Sequence, residues 1–423
     1  MNILGITAEY NPFHNGHSYQ LKKAKELTGA ECTVVCMSGN FMQRGEPALS
    51  DKWIRSRIAV ESGADLVIEL PFVFACNQAR YFGAAAVDIL AELGVTHISF
   101  GCEANDHEKL KSLAHIMAIH EGEIDEFRRE FMCSAGLSSA KAYELAVIKV
   151  CGELDLDMDM AIMNSPNNIL ALEYLKRIEF VNNSRRCQGT DAELKAMPIT
   201  RFGSGYNDRG SCRGFAGASV IRQMKSDDEI AEFVPRSTLA ETGSVAKALR
   251  TLSGAKEKAF DILRSRTVTM EAEELAQLYM VGEGFENKLK KEILLATSFD
   301  DLVKRCVSKR YTAAAVRRMI IWIMMGIKGA EADKILDINK PLSQYARVLA
   351  LSHNGRKLLG SLRKGETGIK ILTNINREVL PEDSDNLKNM LKIDVLASDI
   401  YNIICGKSIY EHSEKVVKPY IKP

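Results

Sequence analysis

"ITAEYNPFHNGHSYQLKKAKEL" (residues 6–27) joins a short apolar run to an amphipathic one through Asn, Pro and Gly. The run "NILGITA" (2–8) reads as a strand and 17–28 as a helix. Two of the chain's eight histidines, His14 and His17, stand three residues apart around Gly16 at the junction. A helix N-terminus offers unpaired N–H groups and the positive end of a dipole, and phosphate binds well there. Gly16 lets the backbone approach a ligand closely, and Pro12 fixes the turn. Imidazoles at this point can donate hydrogen bonds to phosphate oxygens and stabilise charge that grows in a transition state. A plain helix cap at Asn15 with two bystander histidines accounts for H-x-G-H alone equally well, so the remaining sequence has to decide.

Outward from this stretch the alternation continues. "CTVVCM" (32–37), "DLVIEL" (65–70) and "THISF" (96–100) read as strands, separated by helical stretches at 52–62, 81–93 and 107–120. Strand and helix at this spacing specify a parallel sheet with helices on both faces. Ligands of such sheets bind beyond the carboxyl ends of the strands. The opening motif lies there, as do "MSGNFMQRGEPALSDKW" (37–53) and "FGCEAND" (100–106). "MNSPNNILALEYLKRI" (163–178) starts a further helix, residues 181–195 read as a polar loop, and "MPIT" (197–200) as a strand. The Gly-rich 201–219 then leads to a helix from about Ser219. After residue 230 the pattern is helical: 240–253, 271–281, 285–297, 299–307, 312–328, 341–351 and 384–403, with 355–380 as a small α/β element. The expected fold class is α/β: a Rossmann-like parallel-sheet domain over 1–230, followed by a mainly α-helical C-terminal domain over 231–423.

The 423 residues are 46% hydrophobic and 26% charged, as in a soluble globular chain. The apolar run "MIIWIMMGI" (319–327) is too short to span a bilayer, and the N-terminus lacks the pattern of a signal peptide. No membrane association is expected. Ten scattered cysteines without a C-x-x-C pair suggest reduced thiols in the cytoplasm, with no metal site. The net charge of +1 divides into −7 for residues 1–230 and +8 for 231–423, with +11 inside 301–377. A basic C-terminal region suggests a polyanionic partner.

"EYNPFHNGH" after a strand closely resembles the signature of the HxGH nucleotidylyltransferase superfamily. The resemblance implies ATP binding and adenylyl transfer on a Rossmann-like fold. "GASVIR" (217–222) is similar to the superfamily's second element, a hydroxyl-rich helix start with an Arg one turn in. Ser219 as a cap and Arg222 as a fixed guanidinium would clamp β- and γ-phosphates. "ELPFVFACNQARYFGAAAV" (69–87), "SPNNILALEYL" (165–175), "EGFENKLKKEI" (283–293), "SKRYTAAAVRRM" (308–319) and "KIDVLASDIYNII" (392–404) narrow the likeness. Together they resemble the bacterial tRNA(Met) cytidine acetate ligase family over nearly the whole chain.

That resemblance implies activation of acetate by ATP to acetyl-adenylate, then acetyl transfer to N4 of the wobble cytidine of elongator tRNA(Met). It implies an ATP loop of Thr7, Ala8, Glu9, Tyr10, Asn11, Pro12, Phe13, His14, Asn15, Gly16, His17, Ser18, Tyr19 and Gln20. It adds Gly101, one of Asn167 and Asn168, Arg201, Ser219 and Arg222 to the nucleotide contacts. His14, His17 and Lys52 are the catalytic candidates, Lys52 by neutralising phosphate charge. Mg²⁺ bridging the phosphates is expected and needs few protein ligands. Lys309, Arg310, Arg317 and Arg318 are expected to meet tRNA phosphates. Two departures from the family are Cys102, where a small hydroxyl residue is usual, and Asn207, where a His is usual. A small-molecule adenylyltransferase would use the same two motifs but has no need of a basic helical appendage. An RNA-binding protein with a vestigial nucleotide site has no reason to keep His14, Gly16, His17, Ser219 and Arg222 together.

Overall fold

The computed structural model describes every residue except 157–161, 164, 191, 201–213 and 366. One sheet runs through the molecule. Its strands are β1 (Ile3–Ala8), β2 (Cys32–Ser38), β3 (Leu66–Leu70), β4 (His97–Cys102), β5 (Lys195–Thr200), β6 (Tyr345–Leu351), β7 (Lys370–Leu372) and β8 (Tyr420–Ile421). Their order is β5-β4-β1-β2-β3-β6-β7, with β8 also paired to β6. The first five strands are parallel to one another, whereas β6 runs antiparallel to β3. Strands β2 and β3 are continuously apolar apart from Thr33, Ser38 and Glu69, and are buried over their full lengths, as central strands covered on both faces must be.

The crossover helices fall where the 3.6-residue pattern placed them: Asn15–Thr28, Lys52–Glu61, Ala79–Glu92 and His107–Ile119. An antiparallel pair, Glu121–Ala135 and Ser139–Glu153, follows the fourth of these. Two expectations are corrected. Residues 181–195 are not a loop throughout, because the helix Pro166–Cys187 runs on to Cys187. The amide side chain of Asn182 is buried there and exchanges hydrogen bonds with the Leu194 backbone (2.8 and 2.9 Å). Residues 341–351 are not a helix but contain β6, "YARVLAL", buried at every position. A short apolar run fits a buried strand and a helix equally by periodicity, and here the open edge of β3 decided.

Most of the chain beyond 230 is helical, including Val245–Thr269, Phe285–Leu295, Ala313–Met325 and Asp385–Ile404. That region also supplies β6, β7 and β8 to the common sheet, so one hydrophobic core joins Val34, Ile68 and Phe74 to Trp322, Tyr345 and Tyr401.

Candidate active site

Read from the other edge, the first five strands stand in the order 3-2-1-4-5. The connection direction reverses between β1 and β4, which opens a crevice at their carboxyl ends. Residues 9–14 leave β1 into this crevice. The turn passes through Tyr10 at φ +50°, a conformation that costs a bulky side chain about 1–3 kcal/mol, and through a cis Asn11–Pro12 bond. Tyr10 and Phe13 are buried, with rings 4.6 Å apart, and both flank the His17 ring.

His14, not Asn15, caps the helix. Its Nδ1 accepts from Gly16 N–H (3.1 Å), and the His17 Nδ1 accepts from His14 N–H (3.2 Å), a reciprocal capping box made of two imidazoles. The rings stack with centroids 3.6 Å apart. An Nδ1 that accepts carries no proton, so each neutral ring holds its proton on Nε2. The pair stands at the helix N-terminus, with both Nδ1 atoms committed to backbone N–H groups. Asn15 points its amide to the Gly214 and Glu232 carbonyls (2.9 Å each).

The loop before the histidines is fastened residue by residue. The carboxylate of Glu9 accepts from Gln43 N–H (2.6 Å), and the Asn11 side-chain oxygen accepts from Leu49 N–H (2.7 Å). Arg222 Nη1 donates to the Asn11 carbonyl (2.7 Å), and Thr238 donates to that of Phe13 (3.0 Å). Arg55, which sequence reading missed, is 1% exposed and donates to the carbonyls of Glu9 (2.6 Å), Ser38 (3.1 Å), Ser50 (2.9 Å) and Gly39. One guanidinium thus ties together the ends of β1 and β2. Burial raises the Glu9 carboxyl above its usual range, against the pull of Gln43 N–H and of Arg55, Arg222 and Arg44. Ser38 Oγ at the end of β2 and Gln20 Nε2 are buried without a hydrogen-bond partner, and Thr7 Oγ1 at the end of β1 is buried beside Tyr174. Gln20 closes the stretch expected to hold ATP, and an unsatisfied polar atom there suits a polar ligand.

Lys52 lies elsewhere than expected. It is 0% exposed, and its ammonium is held by Glu69 (2.5 and 2.7 Å) and Glu414 (2.6 Å). Burial alone would lower its pKa, but Glu414 and Glu69 outweigh that and hold it above the usual lysine value. Burial pushes Glu69 up to about 8 and Asp394 up to about 6, both against the attraction of Lys52. This network fastens loop 39–51 to the C-terminal segment. Asn40 bonds Ser398 (3.4 Å), Tyr401 donates to the Ala48 carbonyl (3.0 Å) and Lys407 pairs with Asp51 (2.5 Å).

On the β4 side, Gly101 lies in the strand, followed by Cys102. Asn168 is buried and its side-chain oxygen accepts from Glu103 N–H (2.8 Å) and Ala104 N–H (3.1 Å), which fixes the loop after β4. Asn167 is half-buried, and its amide donates to Glu103 Oε1 (2.5 Å). Arg201 and Asn207 fall outside the described residues. Ser219 does not cap a helix: Gly217 is the last extended residue, only one turn follows (Ala218–Ile221), and Ser219 is exposed. Arg222 closes that turn and still reaches the histidine loop.

Lys309 donates to the Ala135 carbonyl (3.1 Å), and Arg310 pairs with Glu283 (3.4 Å). Arg317 and Arg318 face loop 39–51. Arg317 Nε lies 3.7 Å from Glu46, and Arg318 donates to the Gln43 carbonyl (3.2 Å). Among the described residues no group of three His, Cys, Asp or Glu side chains could hold a metal ion, and the nine described cysteines are free, with Cys133 and Cys187 exposed.

Comparison with known proteins agrees with this geometry. The model of the HIGH Nucleotidyl Transferase family matches residues 1–415. The tRNA(Met) cytidine acetate ligase of Acetivibrio thermocellus is 33% identical over 419 residues, covering 96% of each chain. That of Caldicellulosiruptor saccharolyticus is 35% identical over 404 residues, covering 95% of this chain and 94% of its own. The crystal structure of Thermotoga maritima TmcAL bound with alpha-thio ATP superposes with a TM-score of 0.84 at 27% identity, covering 100% of this chain and 99% of that one. With the motif, the sheet order and the full-length matches in agreement, the chain belongs to the HIGH Nucleotidyl Transferase family and, within it, to the tRNA(Met) cytidine acetate ligases.

Proposed function

We propose that the protein activates acetate with ATP and acetylates N4 of the wobble cytidine of elongator tRNA(Met), releasing AMP and pyrophosphate. The observation that carries this reading is the imidazole pair, whose Nε2–H groups are fixed by the capping box at the crevice between β1 and β4. In the first step a carboxylate oxygen of acetate attacks the α-phosphorus and pyrophosphate leaves. His14 and His17 donate to phosphate oxygens whose charge rises in that transition state. Arg222, already oriented by the Asn11 carbonyl, receives the β- and γ-phosphates, and Ser219 and Arg201 are proposed as further nucleotide contacts. Gly101 gives the nucleotide close approach to β4, and one of Asn167 and Asn168, both already bonded to Glu103, meets it. Mg²⁺ bound with the nucleotide would supply charge neutralisation. Lys52 acts at a distance, by anchoring loop 39–51 behind the nucleotide loop.

In the second step the cytidine N4 attacks the acyl carbon, AMP leaves and the amine gives up a proton. Residues 1–230 carry the nucleotide chemistry, and the basic helical region beyond them carries the RNA, with Lys309 and Arg310 among its phosphate contacts. Free cysteines and an RNA substrate suit the cytoplasm, and no helix among the described residues is long and apolar enough to cross a membrane.

The test is incubation with ATP, Mg²⁺ and labelled acetate, with and without unmodified tRNA(Met). Label in the RNA at the wobble cytidine, with one AMP per acetyl group, is expected. AMP attached to a small acceptor without RNA would identify a small-molecule adenylyltransferase instead. RNA binding with no turnover would mark a vestigial site.

A further inference from the structure

Loop 39–51 touches the nucleotide loop on one side and the helix Ala313–Met325 on the other. Its tip is a tight turn: Gly45 N–H donates to the Met42 carbonyl (2.9 Å), and Met42 N–H to that of Glu46 (2.8 Å). Gly45 sits at φ +72°, and a Cβ there would lie 2.3 Å from Arg318 N and 2.5 Å from the Arg317 carbonyl carbon. The helix backbone therefore rests directly on the turn, and no side chain larger than glycine's fits between them. Backbone contact, and not a flexible side chain, fixes where Arg317 begins.

The next residue, Glu46, lies between two guanidinium groups. One carboxylate oxygen is 3.7 Å from Arg317 Nε and the other 3.9 Å from Arg222 Nη2. At these separations the carboxylate attracts both groups but is hydrogen-bonded to neither. Arg317 Nε and Arg318 Nε are buried with no hydrogen-bond partner. Arg222, Arg317 and the exposed Arg44 adjoining the turn outnumber the carboxyl groups facing them, Glu46 and Glu9, so the cluster is cationic on balance. The other arm of Arg222 holds the Asn11 carbonyl, immediately before the histidines. A basic residue from the far end of the sequence thus joins a cationic cluster on the edge of the nucleotide loop.

We propose that Arg317 is a ligand of the ATP triphosphate, contributed by the C-terminal region, with Glu46 holding it in register with Arg222. The proposal rests on the nucleotide-site reading above and changes the role of Arg317 from an RNA contact to a polyphosphate contact. The chemistry required is a guanidinium fork on phosphate oxygens, which RNA could also supply, so the experiment separates the two sources.

Binding of ATP, AMP and inorganic tripolyphosphate to the full chain is measured by titration calorimetry without RNA, beside binding of unmodified tRNA(Met). Arg317→Ala should weaken ATP and tripolyphosphate about tenfold and leave AMP within about twofold, since one charge-assisted fork is lost and only the outer phosphates feel it. Arg317→Lys, which keeps charge but not the fork, should fall between and serves as the test if the alanine variant fails to fold. Unchanged ATP and tripolyphosphate affinity with weakened tRNA binding would overturn the proposal in favour of an RNA contact. An equal loss for ATP and AMP would also overturn it, since it would mean general damage to the site. If the wild-type chain binds neither ATP nor AMP, it is the nucleotide reading itself that fails.

Discussion

His14 has two separable jobs in this structure, and a pair of substitutions divides them. Its Nδ1 caps a helix, and in the function proposed above its Nε2 donates to phosphate. Asparagine is among the best N-cap residues, so His14→Asn keeps an acceptor for the Gly16 N–H and removes the outer donor. His14→Ala removes both. Loss of a capping side chain costs about 1 kcal/mol, whereas loss of one transition-state donor raises the barrier by about 2–4 kcal/mol. With about 1.4 kcal/mol per factor of ten, the asparagine variant should transfer acetate roughly 30- to 1000-fold more slowly. Its stability should stay within about 0.5 kcal/mol of wild type. The alanine variant should be as slow and about 1 kcal/mol less stable. Single-turnover transfer of labelled acetate to RNA gives the first quantity and urea unfolding gives the second. An asparagine variant within about threefold of the wild-type rate would refute the argument that Nε2 bears the catalytic proton.

Arg55→Lys should cost about 3 kcal/mol in urea unfolding, because a single ammonium cannot satisfy four buried carbonyls now shared by one guanidinium; a loss below about 1 kcal/mol would mean that the strand ends are held by something else. Lys52→Met should destabilise the fold by about 3–5 kcal/mol by leaving Glu69 and Glu414 buried without their cation. A variant of full stability and reduced turnover would instead return Lys52 to the phosphates. Stability should also depend on pH through the same cluster. The folded chain keeps protons on Glu69 up to about 8 and on Asp394 up to about 6, whereas the unfolded chain releases them near 4.5 and 3.8. The native state binds more protons across that window, so the cluster's contribution is fully present below about pH 4 and declines as pH rises to about 8. Calorimetric melting between pH 6 and 8.5 should show a falling Tm that Glu69→Gln flattens, and an unaltered slope in that variant would remove Glu69 as the cause.

What the sequence disclosed was local. The strand, glycine and helix pattern around residues 6–27 carried the fold class and the histidine site, since capping, turns and periodicity act over a few residues. The helix boundaries at 52–61, 79–92 and 385–404 were legible for the same reason. What it concealed was long-range. "YARVLAL" could not reveal itself as a strand without the edge of β3, and Lys52 could not reveal its burial without Glu414, which lies over 360 residues away. Arg55 sat in plain view in "KWIRSR", but its role depends on carbonyls from three separate segments. Arg317 and Arg318 read as tRNA contacts because one helix does not disclose what it packs against; Gly45, pressed against their backbone, does.

The antiparallel β6 has a consequence for how the protein comes into being. Strand β3 stays an open edge until residues 345–351 have been synthesised, and the charge of Lys52 is only half matched until Glu414 emerges. A nascent chain that has completed the histidine loop is thus still carrying an unpaired strand and a buried cation in want of a partner. The support of the histidine loop is completed late, only after Glu414 has joined Lys52. A chain cut short in its last dozen residues would lose Glu414 and β8 together, and with them the anchor of loop 39–51, leaving intact histidines on an unsupported loop.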